Sequence, residues 1–458
     1  MKVNKPCVFR LLIVGFALAQ ADPLTAQTFK TLYSFTALYI DPAGNDSGAT
    51  PIAGLVSSGN ILFGTAQTGG ILNAGAVFAI NADGTGFTNL HSFAFSDGAV
   101  PQSVLALSGN TLYGTVASGG SANAGAVFAI DINGTGFTNL YSFTPNPDGT
   151  NSDGYSPKAG VILSGNTLYG TTQYGGTNGV GTVFAVNTDG SGFTNLHSFS
   201  GDDGSQPFSG LILVGEVLYG TTTAGGSANQ GTVFAIDTNS TGFTNLYNFK
   251  GSDGGDPRGG LILSGSTLFG ATAVTVFAVN TNGTGFKNLH TFSNSDGAFP
   301  YGALILSGTT LYGTTLLGGH SGNGTVFALN TNGMGFTNLY HFTATSTNSS
   351  GDYTNIDGAN PYAGLFLTNS TLYGTTHNGG TSGNGTVFSL SFRPQLTITA
   401  SGTNVILKWL TNLAGFDYSS FALQSAPTVS GTFTNIAGPT NPYTNPISGV
   451  QKFYRLSQ

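Results

Sequence analysis

Charge is scarce in this 458-residue chain: Asp, Glu, Lys and Arg together make up 7% of it. Twelve basic residues against nineteen acidic ones leave a formal charge of −7 and no basic cluster. That balance argues against a nucleic-acid partner, because neutralising phosphates takes clustered Lys and Arg. Cysteine occurs once, at Cys7, so no disulfide framework and no cysteine metal site is expected. No Gly-x-Ser-x-Gly, His-Glu-x-x-His or Walker sequence occurs, and nothing pairs a nucleophile with a base. Beyond residue 26 no apolar run is long enough to cross a bilayer, so an integral membrane protein is not expected. The few charges do not imply disorder, since Leu, Val, Ile, Phe and Tyr are plentiful and regularly placed.

Glycine, by contrast, numbers 71, and seven of these mark one recurring phrase. An aromatic, Gly, and Thr or Ala recur at Phe63-Gly64-Thr65, Tyr113-Gly114-Thr115, Tyr169-Gly170-Thr171, Tyr219-Gly220-Thr221, Phe269-Gly270-Ala271, Tyr312-Gly313-Thr314 and Tyr373-Gly374-Thr375. A period near 50 residues marks a repeat architecture. Around the third copy, four extended runs are bounded by turn chemistry: Ala159 to Leu163, Thr167 to Thr172, Thr182 to Val186 and Phe193 to Phe199. Four short antiparallel strands per repeat describe a propeller blade. The runs are apolar without clean alternation, as strands covered on both faces are.

The piece Phe29 to Phe35 reads as a fourth run with no other three before it, whereas the seventh copy stops after its third run, at Leu390. Joining the two would leave no sheet edge free. The expected fold is therefore all-β: a seven-bladed β-propeller over residues 27–393, closed by the N-terminal strand. Residues 394–458 hold five short strand candidates between Pro- and Asn-rich turns and are expected to form a small immunoglobulin- or fibronectin-like β-sandwich around Trp409. Residues 1–26 read as a cleaved signal peptide. Lys2, Lys5 and Arg10 precede the apolar stretch Leu11 to Ala19, with cleavage candidates after Ala21 and Ala26. A secreted or cell-surface monomer is the expectation.

Connection lengths locate a binding face. The Pro opening a first run and the aromatic of the second are always 12 residues apart, as from Pro101 to Tyr113. The Val of the third run and the Phe closing the fourth are always 16 apart, as from Val77 to Phe93. The loops returning from a fourth run to the next Pro vary, reaching 19 residues from Phe342 to Pro361. The second-to-third connection collapses to 7 residues between Phe269 and Val276. In an antiparallel blade these two variable connections share one face, and a rigid scaffold displays functional residues on such loops.

On that face the residue after each opening Pro changes every time while its neighbours barely do: Ile52, Gln102, Lys158, Phe208, Arg258, Tyr301 and Tyr362. Their aromatic rings suit sugar stacking, and Lys158 and Arg258 suit a carboxylate. His320 and His377, in the second-to-third loops of neighbouring copies, are further candidates. His91, His197 and His290 alternate with Tyr141, Tyr247 and Tyr340 at one fourth-run position and read as packing residues. The Asp-Gly-x-x-Pro openings at Asp97, Asp153, Asp203, Asp253, Asp296 and Asp357 read as turns rather than a cation ring. The third-to-fourth turns, such as Asn187-Thr188-Asp189-Gly190, fall short of a calcium loop. No metal and no cofactor is expected.

The phrases Gly-Leu-Ile-Leu-Ser-Gly-x-Thr-Leu-Tyr-Gly-Thr-Thr, Gly-Gly-x-x-x-x-Gly-Thr-Val-Phe-Ala and Gly-Thr-Gly-Phe-Thr-Asn-Leu-Tyr-Ser-Phe resemble the GloVer tandem repeat of exported bacterial "choice-of-anchor" proteins, over roughly residues 29–390. The resemblance implies a repeat array joined to a variable anchor or sorting segment, and carries no activity or catalytic residues. The chain has no terminal apolar helix with a basic tail. Its ending from Asn445 to Leu456 looks like a small β-domain that closes other exported bacterial proteins. The expected function is non-enzymatic binding of an extracellular glycan or surface protein through the loop-rich face. The alternatives are a carbohydrate-active lyase or hydrolase drawing on Asp202, Asp203, Asp256, His320 and His377, and a structural envelope component.

Overall fold

The computed structural model describes residues 27–36, 47–144, 151–392, 394, 396–409, 411–417, 419, 421–428, 430–446 and 452–457. The expected signal peptide and Cys7 lie outside the described residues. Within them the chain is all-β and forms seven four-stranded antiparallel sheets. Sheet three is typical, with Ile162–Ser164, Thr167–Thr172, Thr182–Asn187 and Thr194–Ser198 paired in chain order. Its first strand starts later than the expected Ala159. The Ala159 carbonyl accepts a 2.8 Å bond from the Thr115 hydroxyl of sheet two, so it serves the seam between sheets instead of a ladder.

The recurring phrase has a steric reason. Its Gly pairs across the ladder with a Phe of the third strand, as Gly170 does with Phe184. A Cβ on Gly170 would stand 2.6 Å from the Phe184 ring tip, so only glycine lets that ring lie across the strand. The Thr that follows reaches the next sheet. Besides Thr115, the hydroxyls of Thr65, Thr171, Thr221 and Thr314 donate to Ser103, Ser209, Pro257 and Ala363 carbonyls. Thr375 of sheet seven donates to Ala53, at the opening of sheet one, at 2.9 Å. Sheet five has Ala271 at this position, which carries no hydroxyl.

Aromatic stacking repeats the same order. Each fourth strand lays a His or Tyr ring flat on a Phe of the next sheet: His91 on Phe137, Tyr141 on Phe193, His197 on Phe243, Tyr247 on Phe286 and His290 on Phe336, all at 3.7–3.9 Å. Tyr340 stacks on Phe29 at 4.1 Å and Tyr33 on Phe87 at 3.9 Å, so the N-terminal strand supplies both missing members. That strand, Gln27–Ser34, pairs with Thr386–Phe392 from Gln27↔Phe392 to Ser34↔Thr386. Hydrophobic cores lie between successive sheets, and one joins Leu32, Phe35 and Val387 of sheet seven to Leu55, Leu62 and Phe78 of sheet one. Both faces of a strand such as Ala76–Asn81 are thereby buried, which accounts for its unbroken apolar run.

The Asp-Gly openings lie in turns or bends, except Asp153-Gly154, which falls within the strand Asn151–Tyr155, and their carboxylates make further bonds. One Asp97 oxygen accepts from the Ala94 amide and the other lies 3.1 Å from His91 Nε2. Asp203–His197 and Asp296–His290 repeat the pair at 3.0 and 3.2 Å. Tyr141, Tyr247 and Tyr340 donate their hydroxyls to Asp153, Asp253 and Asp357. In the seventh instance Ser47 stands where Asp would, and Tyr33 bonds it. Burial lowers the pKa of His91, His197 and His290, and the neighbouring carboxylates only partly offset it. The folded state therefore holds these rings neutral, and the unfolded chain takes up protons first below about 6.5. Their stabilisation is complete above that pH and declines on acidification. The melting temperature is expected to fall from pH 7 to pH 5, and a His91→Tyr, His197→Tyr, His290→Tyr variant, copying the Tyr-bearing sheets, should show a shallower decline.

The tail folds as two three-stranded sheets, one holding Thr397–Ser401, Asn404–Lys408 and Tyr443–Pro446 and the other Ala422–Ala426, Thr434–Asn435 and Phe453–Ser457. Leu407, Trp409 and Leu423 are buried between them. A hairpin of Asn412–Leu413 and Phe416–Asp417 leaves the tail and packs on sheet six. Phe416 stacks on Tyr312 at 5.4 Å, and the Tyr312 hydroxyl donates to the Ala414 carbonyl. The contact lies beside the tight first-to-second turn, at the end of the sheet opposite the return loops.

Candidate functional site

Return loops and second-to-third loops do share a face. Antiparallel bridges join Ala49 to Thr68, Ala99 to Ser118, Ser205 to Ala224, Ala298 to Leu317 and Ala359 to Asn378. Two of the long return loops hold strands of their own. Asn151–Tyr155 pairs with Tyr174–Gly176, and Ser346–Thr347 pairs with Tyr353–Thr354.

Every return loop ends on a left-handed residue before its Pro: Thr50, Val100, Ser156, Gln206, Asp256, Phe299 and Asn360 have φ between 51° and 60°. Bulky or β-branched residues such as Phe299 and Val100 rarely adopt this conformation. At six of the seven the amide bonds a carbonyl in the preceding sheet's second-to-third loop, as Gln206 does with Val180 at 2.7 Å. The neighbouring sheet thus fixes the bend, and the second residue after it turns toward the middle of the array.

The consequence is one cavity of about 500 Å³ lined by the opening residues of all seven sheets. Ile52, Gln102, Lys158, Phe208, Arg258, Tyr301 and Tyr362 all line it, each half-buried. Aliphatic Val104, Val161, Leu211 and Leu261 also line it. The polar contacts fall on one arc. Arg258 Nε donates to both Asp256 oxygens, at 3.0 and 2.9 Å. Its guanidinium lies 4.8 Å from the Tyr301 ring and 5.5 Å from that of Phe208. The Lys158 ammonium lies 5.2 Å from Phe208, and Tyr301 and Tyr362 are 5.6 Å apart. Burial opposes the Arg258 charge, but bonds to Asp256 and Tyr362 outweigh it and hold its pKa above the ordinary value. Burial, and then the Arg258 charge, lower that of Lys158.

The two histidine candidates are not brought to this cavity. His320 stacks on His341 at 3.7 Å, and its amide donates to His341 Nδ1. His377 is half-buried, its amide bonded to the Asn360 carbonyl, and burial lowers its imidazole pKa. Among the described residues no three His, Cys, Asp or Glu side chains gather as metal ligands would. Of the carboxylates considered for catalysis, Asp203 is engaged by His197 and Ser200, and Asp256 by Arg258. His341 was missed from the sequence because its position carries Ser92, Ser142, Ser198, Asn248 and Thr291 in other copies, with no shared chemistry to single it out.

A model of the Gloeobacter/Verrucomicrobia repeat matches residues 19–154, 148–274 and 273–441, nearly the whole chain in three consecutive stretches. The chain belongs to the Gloeobacter/Verrucomicrobia repeat family. The three matches hold two, three and two copies of the aromatic-Gly phrase, and the last runs on into the tail. None of the curated proteins matches the repeat chain by sequence. Among solved structures it is similar to the extracellular domain of a B. thetaiotaomicron protein described as a hybrid two-component system, at 10% identity and TM-score 0.52, over 83% of this chain and 44% of that one. A second structure of that domain, described as a one-component system, matches at 10% identity and TM-score 0.50, over 90% and 48%. The repeat chain spans less than half the length of either domain. The likeness is one of fold alone, a propeller-like array of small antiparallel sheets.

Proposed function

We propose that this repeat protein is an exported, non-enzymatic seven-bladed β-propeller, closed by its N-terminal strand, that binds a glycan at the mouth of its central channel. Support for the ring comes from the hydroxyl bonds, ring stacks and cores that run from sheet to sheet and link the seventh to the first. Two sheets packed on Trp409 support a separate C-terminal β-sandwich, with residues 394–458 as the module and 27–393 as the propeller. The observation that carries the binding reading is the convergence of the seven variable residues, one from each repeat, on a single cavity. Variation confined to one inward position, on an otherwise constant frame, is what a shaped recognition site needs. The cavity's size falls within the roughly 300–1,000 Å³ of small-ligand sites and is concave, which suits a few sugar rings better than a flat protein surface. Half-buried Phe208, Tyr301 and Tyr362 offer rings for stacking, and Gln102 and Arg258 offer polar groups to orient a ligand.

The test is a glycan array probed with the chain beginning at residue 27. Binding is expected to a small set of glycans, and Arg258→Ala and Tyr362→Ala should each weaken it at least tenfold while the melting temperature changes little. Binding that survives both substitutions would place the site elsewhere, and binding only to a protein partner would replace the glycan reading. Residues 1–26 are expected to direct export, so fusing them to a reporter should release it from the cytoplasm with the leader removed.

A further inference from the structure

We propose that the ligand of this mouth carries a carboxylate and that Lys158 receives it. The inference rests on the glycan reading of the same cavity and narrows it to acidic saccharides. In a chain with twelve basic residues and a net charge of −7, two of the basic residues face one cavity. They are not equivalent. Arg258 is paired with Asp256 through both carboxylate oxygens and is also bonded by the Tyr362 hydroxyl. Its charge is answered within the protein. Among the described residues no carboxylate lies within 4 Å of the Lys158 ammonium, and its one recorded contact is the face of Phe208. Arg258 also lies against that ring, so two cations share one aromatic partner.

A half-buried ammonium without a counter-ion is costly, and a neighbouring cation raises the cost. A ring face offsets only part of that cost. An anion entering beside Lys158 would supply the missing charge and relieve its repulsion with Arg258. The rest of the arc fits the rest of such a ligand. Lys158, Phe208, Arg258, Tyr301 and Tyr362 come from five successive blades, so a sugar ring resting on Phe208 has the Lys158 ammonium beside it. Ile52 and Gln102, on the two remaining blades, carry no charge, which leaves one acidic-ligand side to the mouth.

The experiment titrates the chain beginning at residue 27 with oligosaccharides of galacturonic, glucuronic and mannuronic acid, each beside its carboxyl-reduced neutral counterpart. At least one acidic form is expected to bind ten or more times more tightly than its neutral twin, and to weaken as salt is added. Lys158→Gln should remove that difference without changing the melting temperature, and Lys158→Arg should restore most of it. Equal binding of the acidic and neutral forms, lost in Tyr301→Ala, would overturn the carboxylate and leave glycan binding standing. Preference for the acidic form that persists in Lys158→Gln would overturn the role of Lys158. If no glycan of either kind binds, the reading of the mouth as a glycan site falls, and this inference with it.

Discussion

Removing residues 27–36 is expected to leave a protein that does not fold as a soluble monomer. The segment contributes the outer strand of sheet seven, and Leu32 and Phe35 are buried in the core shared with sheet one. Phe29 and Tyr33 complete the stacks onto Tyr340 and Phe87. Full burial of a large apolar side chain stabilises by about 1.5–3 kcal/mol, so losing Leu32 and Phe35 costs roughly 3–6 kcal/mol, with a further share from the half-buried Phe29 and Tyr33. That is comparable to the roughly 5–15 kcal/mol that holds a typical domain together. The loss would also expose the backbone edge of Thr386–Phe392, an invitation to pairing between chains. Aggregation or strand-exchanged oligomers are expected on size-exclusion chromatography, and a peptide of residues 27–36 added during refolding should recover monomer. A monodisperse truncated protein with an unchanged melting temperature would contradict this.

The second large effect is expected from Asp357→Ala. Asp357 is 2% exposed and accepts bonds from the Tyr340 hydroxyl and from the Thr343 amide and hydroxyl. Truncation leaves three donors without their shared acceptor, of which the hydroxyl of exposed Thr343 can turn to water. An unsatisfied buried group costs about 1–3 kcal/mol, so a loss of about 3–5 kcal/mol is expected, allowing for partial relaxation. Asp97→Ala should cost less, because its side chain is 30% exposed and water can replace it. Asp357→Ser should fall between, since Ser47 already takes this role opposite Tyr33. Chemical denaturation of the three variants measures the order. Equal losses at exposed and buried positions would show that the carboxylates matter through the turn alone.

Much of this was legible because the chain is its own internal comparison. Phe29, Tyr33 and Phe35 stand in the spacing of a fourth strand, and nothing else in the sequence was left to complete the seventh sheet. Lys158, Phe208, Arg258, Tyr301 and Tyr362 stood out as changes at a single position between constant neighbours, and they line one cavity. The start of the first strand was not legible, because the Ala159 carbonyl is engaged across a seam that no pattern within a repeat records. Nor was the pairing of Asp256 with Arg258, since most other copies have uncharged residues at both places. The tail hairpin on Tyr312 was hidden for the same reason. It joins residues 102 apart and occurs once, so repetition gives no clue to it.

The central claim is that the first strand closes the array, and a cysteine pair tests it most directly. Thr28 and Ser391 are cross-strand partners, each reachable by solvent, in a chain whose one natural cysteine precedes residue 27. Thr28→Cys with Ser391→Cys, in the chain beginning at residue 27, should oxidise to an intramolecular disulfide in the folded monomer, with both thiols lost to a thiol reagent. Two free thiols in the folded protein, or a disulfide found only between chains, would contradict the closed ring.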